Sequence, residues 1–179
     1  MEGKEYDRAI YFSNKLMAVK KDEKWGFINP STGEQIKDFI YTYVYDYKDG
    51  LIEVQRGGKK GLLDITGKEI VPCIYGLIFI RSKDGLIEVH RGGKEGLLDI
   101  TGKEIVPCIY DEVGACYEGY ITLEKDGEEE EYIKKDGTKY SGEAAKEIKK
   151  FIEDIKEKER KRVRIIYRDC VDEELRRRY

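Results

Sequence analysis

The sequence predicts a mainly β protein: an array of about four antiparallel β-hairpin or meander repeats with a 35-residue period, followed by a charged α-helical tail. Three observations predict it. The stretch DGLIEVQRGGKKGLLDITGKEIVPCIY, Asp49 to Tyr75, returns from Asp84 to Tyr110 with only Gln55/His90 and Lys60/Glu95 changed. Gly26, Gly61 and Gly96 fall 35 residues apart, as do Gly67, Gly102 and Gly137. From Gly142 onward the two-residue alternation of strands gives way to apolar residues at helical spacing.

Within one repeat the elements follow in order. Leu51–Gln55 alternates apolar and polar side chains and reads as a strand. Arg56-Gly57-Gly58-Lys59 is a hairpin turn, and Gly61–Ile65 is the returning strand. Asp64-Ile65-Thr66-Gly67 is a second turn, its Asp able to bond the backbone ahead of it. Lys68–Val71 is a third strand, expected to end at Pro72, which has no N–H for a ladder; Leu77–Ile80 is a fourth. The same order recurs more loosely at Leu16–Ile36 and at Tyr120–Tyr140, where Glu131 replaces the glycine of the other units. The units therefore lie near 14–48, 49–83, 84–118 and 119–141, after a partial unit at 1–13. The divergent outer copies are expected to act as caps. Together they make a repeat domain over residues 1–141.

Residues 142–179 form the tail. Ile148, Phe151, Ile152 and Ile155 make an amphipathic stripe, expected to pack on the last repeat. Val163–Tyr167 reads as a strand or as continued helix, and Asp172–Arg178 as a short terminal helix.

Composition narrows the function classes. The net charge of -3 divides into 21 basic and 27 acidic groups before residue 142, and 13 basic and 10 acidic after it. Neither part is the strongly basic stripe of a nucleic-acid binder. No apolar run has the length of a signal peptide or a membrane span, and the four cysteines lack the spacing of a disulfide framework. The expectation is a cytoplasmic protein without membrane contact, its thiols reduced.

Lys24-Trp25-Gly26-Phe27-Ile28, followed by Thr32-Gly33-Glu34 and Ile36, resembles the WG (KWG) repeat family of bacterial β-repeat proteins. Lys60-Gly61-Leu62-Leu63-Asp64, Glu95-Gly96-Leu97-Leu98-Asp99, the Lys-Glu-Ile-Val-Pro runs and Tyr110-Asp111 continue the likeness over roughly residues 6–140. Only the first unit keeps the Trp; Lys60 and Glu95 stand in its place in the next two. The resemblance implies a β-repeat scaffold that mediates interactions, with no catalytic residues.

Candidate chemistry is sparse. His90, the only histidine, is expected to be an exposed strand residue without metal co-ligands. No Cys-x-x-Cys or Cys/His cluster suggests zinc, and Cys73, Cys108 and Cys116 are expected to act as small hydrophobes. No cofactor, metal or catalytic site is expected. Two patches stand out for binding. Tyr41, Tyr43, Tyr45 and Tyr47 alternate along one segment and offer stiff amphipathic anchors; Glu128, Glu129, Glu130 and Glu131 form an acidic run. The leading expectation is a non-enzymatic module that binds another protein through its repeat surface. The alternatives are an inhibitor from a phage or mobile element that occludes a host nuclease, and weak nucleic-acid binding by Arg160–Arg164 and Arg176–Arg178 of the tail.

Overall fold

A computed structural model describes residues 5–46, 50–128 and 130–178. The chain is mainly β, with repeated antiparallel hairpins and one helical tail, and it divides into two compact units, residues 1–111 and 112–179. The first unit holds three four-stranded meanders. The first contains β1 (Arg8–Ser13), β2 (Leu16–Lys21), β3 (Lys24–Ile28) and β4 (Gln35–Tyr41). The second contains β5 (Tyr43–Asp46), β6 (Leu51–Arg56), β7 (Lys59–Asp64) and β8 (Glu69–Tyr75). The third contains β9 (Leu77–Arg81), β10 (Leu86–Arg91), β11 (Lys94–Asp99) and β12 (Glu104–Tyr110). The second unit has a fourth meander, β13 (Glu112–Tyr117), β14 (Tyr120–Glu124), β15 (Glu131–Lys134) and β16 (Lys139–Tyr140), and then α1 (Gly142–Arg178).

The sheets are phased one strand earlier than the sequence units. The segment that closes each sequence unit opens the next sheet, because the chain turns immediately after Tyr41 and Tyr75. The amides of the following residues, Thr42 and Gly76, donate to the carbonyls of Gln55 and His90 in the sheet ahead. Gly57-Gly58 and Gly92-Gly93 make the tight hairpin turns with φ positive at both central residues, as their spacing predicts.

Two local expectations change. Pro72 and Pro107 do not end their strands. Both lie on an edge strand with exposed side chains, inside a bulge where Lys60 and Leu62 pair with Tyr75 and Val71. An edge bulge needs no amide from proline, so the strand continues to the tyrosine. The tail is one unbroken helix, so Val163–Tyr167 takes the continued-helix alternative and Asp172–Arg178 is its end rather than a separate short helix. Its described contact with the fourth sheet uses Ala145, Ile148 and Ile152 against Tyr132, Tyr120 and Tyr140, while Phe151 stays exposed.

The bulge explains the glycine that follows the Trp position. A Cβ on Gly61 would sit 2.6 Å from the Val71 carbonyl and 2.9 Å from Cys73 Sγ, and Gly96 meets Val106 and Cys108 identically. In the fourth sheet β16 stops after two residues and the chain enters α1, so no bulge crosses the equivalent place. That is why Glu131 is tolerated there.

Both faces of the second sheet are buried, by alternate residues. Val44, Ile52, Val54, Leu63 and Cys73 pack with Leu16, Trp25, Phe27 and Tyr41 of the first sheet. Leu51, Leu62, Val71 and Tyr75 pack with Ile78, Ile87, Val89 and Leu98 of the third. The turn glycines sit at these junctions: a Cβ on Gly102 would lie 2.0 Å from the Ile70 carbonyl of the second sheet. Gly33, at the same turn of the first sheet and also at positive φ, has nothing within 4 Å. Gly33→Ala therefore incurs only the left-handed backbone penalty, about 1–2 kcal/mol, whereas Gly102→Ala adds a backbone collision between sheets. Urea denaturation should show Gly102→Ala less stable than Gly33→Ala by about 2 kcal/mol or more.

Candidate interaction surface

The four tyrosines divide between two sheets. Tyr41 ends β4, is 2% exposed and meets the Phe27 ring edge-on at 5.8 Å, so it belongs to the core and not to a surface ladder. Burial, the largest cause, pushes its phenol above the ordinary range. Tyr43 and Tyr45 lie on edge strand β5, 49% and 53% exposed, with rings stacked at 6.4 Å. Tyr47 lies outside the described residues. The edge strand of the next sheet repeats the arrangement: Leu77 and Phe79 of β9 occupy the places of Tyr43 and Tyr45 and are 45% and 48% exposed. The register shows the equivalence, since Tyr43 and Tyr45 pair with Gln55 and Glu53, and Leu77 and Phe79 with His90 and Glu88.

The acidic run is partly engaged inside its own unit. Glu130 accepts from the Tyr132 hydroxyl at 2.9 Å and pairs with Lys149 of α1 at 3.2 Å. Glu131 pairs with Lys139. Glu128 is exposed, and Glu129 lies outside the described residues. Burial first, and the bond to Glu130 second, raise the Tyr132 phenol well above its usual range, so the hydroxyl keeps the proton it donates to Glu130. Of the basic tail, Arg160 is exposed; the side chains from Arg164 onward lie outside the described ones.

Polar residues gather beside the Trp position. In the second sheet Lys60 reaches Glu53 at 2.8 Å, and Glu53 is 4% exposed with its Oε2 lacking any partner among the described residues. In the third sheet Glu88, His90 and Glu95 occupy the matching places. His90 Nε2 donates to Glu88 at 2.9 Å, and Nδ1 lies 3.7 Å from Glu95. His90 is thus half-buried between two carboxylates rather than an isolated exposed residue. The signal was present in the residues: Glu88 shares a strand face with His90, and the Arg91–Lys94 hairpin sets Glu95 opposite it.

Little here offers covalent chemistry. Burial, the first cause for each, pushes the Cys73 and Cys108 thiols above their ordinary range, away from the reactive thiolate. A cleft of about 470 Å³ in the first unit is lined by Tyr6, Phe39, Ile28, Gln35, Glu5, Asp22, Lys21 and Lys24, with neither histidine nor cysteine among them.

The turns are built on carboxylates. The Asp99 carboxylate accepts from the Thr101 hydroxyl at 2.6 Å and from the Thr101 and Lys103 amides at 2.8 and 3.0 Å. The hydroxyl leads in holding Asp99 below its usual range, against some desolvation. At Asp64 desolvation raises the value, but the matching bonds from Thr66 and Lys68 outweigh it, so that carboxyl is lowered too. Asn29 accepts from the Ser31 and Thr32 amides at the corresponding turn of the first sheet.

The chain belongs to the WG-repeat family, a class of repeat modules: the family described as "WG containing repeat" matches residues 4–25, 25–59 and 96–128, together about half of the chain. The glycine beneath each bulge and the Trp position are the features that the geometry above explains. A solved structure with partial similarity is that of Kluyveromyces lactis Hsv2, at 10% identity and a TM-score of 0.35, over 68% of this chain and 42% of that one. The chain thus spans less than half the length of that protein. No curated protein sequence matches.

Two outcomes follow for the turn carboxylates and the buried pair. Because the folded values of Asp64 and Asp99 lie below the unfolded one of about 3.9, their stabilisation is present above that pH and is lost as pH falls through the folded values. Asp64→Asn/Asp99→Asn, which copies Asn29, should lower the urea midpoint modestly at neutral pH and flatten its acid limb, so that variant and parent converge as pH falls. Lys60→Met leaves Glu53 buried without its cation and should cost about 3 kcal/mol. Glu53→Ala/Lys60→Trp, which copies Ala18 and Trp25, should recover most of that loss in the same assay.

Proposed function

We propose that this protein is a non-catalytic protein-binding module whose contact surface is built on the exposed edge strands β5 and β9. One observation carries the reading: successive sheets present large apolar side chains at the same register, Tyr43 and Tyr45 and then Leu77 and Phe79. The Tyr pair is already stacked, so little side-chain freedom is lost when a partner covers it. Aromatic anchors of this kind supply most of the energy of an interface. The repeat body carries more acidic than basic groups, which favours a partner presenting apolar and basic side chains together. Inhibition of a nuclease through Glu128–Glu131 has weaker support, because Glu130 and Glu131 already hold Lys149 and Lys139.

The test is quantitative binding to a partner first captured from the native host with the full chain. Tyr43→Ala/Tyr45→Ala should weaken the purified complex roughly 30-fold, about 2 kcal/mol, with an unchanged melting temperature. A folded double variant that binds as tightly as the parent rejects the reading.

A further inference from the structure

The second and third sheets contain near-identical copies of one sequence, and their two differences fall on one spot. Gln55 becomes His90 and Lys60 becomes Glu95. These positions are direct cross-strand partners in both sheets, Gln55 with Lys60 and His90 with Glu95. Each pair lies beside a glutamate that the copies share, Glu53 or Glu88. In the second sheet that glutamate has a fixed cation, the Lys60 ammonium at 2.8 Å. In the third sheet the ammonium is exchanged for a carboxylate and the neighbouring amide for an imidazole.

We infer that Glu88, His90 and Glu95 form a binding site for a divalent transition ion of the zinc class. One ligand atom from each residue lies within 4.8 Å of the other two. Glu88 meets Nε2 at 2.9 Å and Glu95 meets Nδ1 at 3.7 Å, so an ion seated on one of these nitrogens takes the near carboxylate first and draws the other, whose ligand atom lies within 4.8 Å, toward the spacing of about 3.3 Å between ligands of tetrahedral zinc. All three side chains are part-buried, about a fifth exposed, so an ion there keeps an open position for water. The Phe79 ring stands edge-on to His90 at 5.5 Å and limits how the imidazole can swing. Arg81 takes the other side of Glu88, 3.7 Å from Oε2, and is held by Asp84 at 3.2 Å, which leaves Oε1 facing the imidazole. An imidazole nitrogen with two carboxylate oxygens selects zinc, cobalt, nickel or manganese over calcium or magnesium, which take oxygen ligands. On binding, the ion takes the lone pair of one imidazole nitrogen, and the single proton of the neutral ring stays on the other nitrogen.

The chain tests this with its own internal control. His90→Gln and Glu95→Lys each install the residue that the second sheet carries at the same place, so neither introduces a residue foreign to the repeat. Zinc chloride titrated into the full chain should bind one-to-one by calorimetry and shift the imidazole signals of its single histidine in the NMR spectrum. Each variant should bind at least tenfold more weakly, and the magnesium salt should leave the imidazole signals in place. Zinc affinity undiminished in His90→Gln, or imidazole signals unmoved at stoichiometric zinc, overturns the site; the first of these would assign the ion to thiols or surface carboxylates.

Discussion

A four-stranded meander of this length has two apolar faces and no core of its own, and burying both faces is the constraint from which the rest follows. The second sheet shows it fully. Alternate residues of β6, β7 and β8 enter two different clusters, one shared with the sheet before and one with the sheet after. Close approach is then required at two kinds of place, where the bulged fourth strand crosses the third and where a turn meets the preceding sheet. Both are filled by glycine, Gly61 and Gly96 at the first, Gly67 and Gly102 at the second. The family's glycines are thus consequences of sheet stacking as much as of turn geometry.

The same constraint decides what happens at the Trp position. A side chain there lies on a covered face near the rim, so it must be apolar or paired. Trp25, beside Ala18, meets the requirement as a hydrophobe. Lys60 meets it as the counter-ion of Glu53, and Glu95 meets it within a cluster containing His90 and Arg81. Loss of the tryptophan therefore does not empty the position. It converts a packing site into a polar one, and the polar partners arrive from the neighbouring strand in a fixed register.

Much of the architecture was legible because it is periodic. The hairpin glycines, the Asp-x-Thr-Gly turns and the helical stripe at Ile148 and Ile152 each encode a local geometry that needs no knowledge of neighbours. What could not be read depended on contacts between repeats. Tyr41 alternates with Tyr43 and Tyr45 in the sequence, yet Thr42 turns the chain into the next sheet and leaves Tyr41 in the core. The edge position that admits Pro72 follows from strand order, which sequence periodicity does not report. Glu130 and Glu131 read as a solvated run, since their partners Lys149 and Lys139 lie further along the chain.

Repetition also separates residues that the fold demands from residues it merely permits. Where two copies of one sequence occupy the same kind of sheet, shared residues such as Glu53 and Glu88 are explained by common descent of the copies and carry no information about selection. The differences are informative, because the β6–β7 and β10–β11 hairpins that carry them are otherwise identical in sequence. Two independent surface changes would be expected to scatter over the exposed positions of a hairpin. Here the two changes face each other across β10 and β11 and reverse the charge of one partner while giving the other a titratable nitrogen. The fourth sheet underlines the point from the opposite side: Thr122 occupies the place of Glu88, and the charge at Glu130 is met by Lys149 from α1. The scaffold can satisfy this position with a tryptophan, a lysine or a helix, so an imidazole between two carboxylates is a chemical choice that folding does not impose.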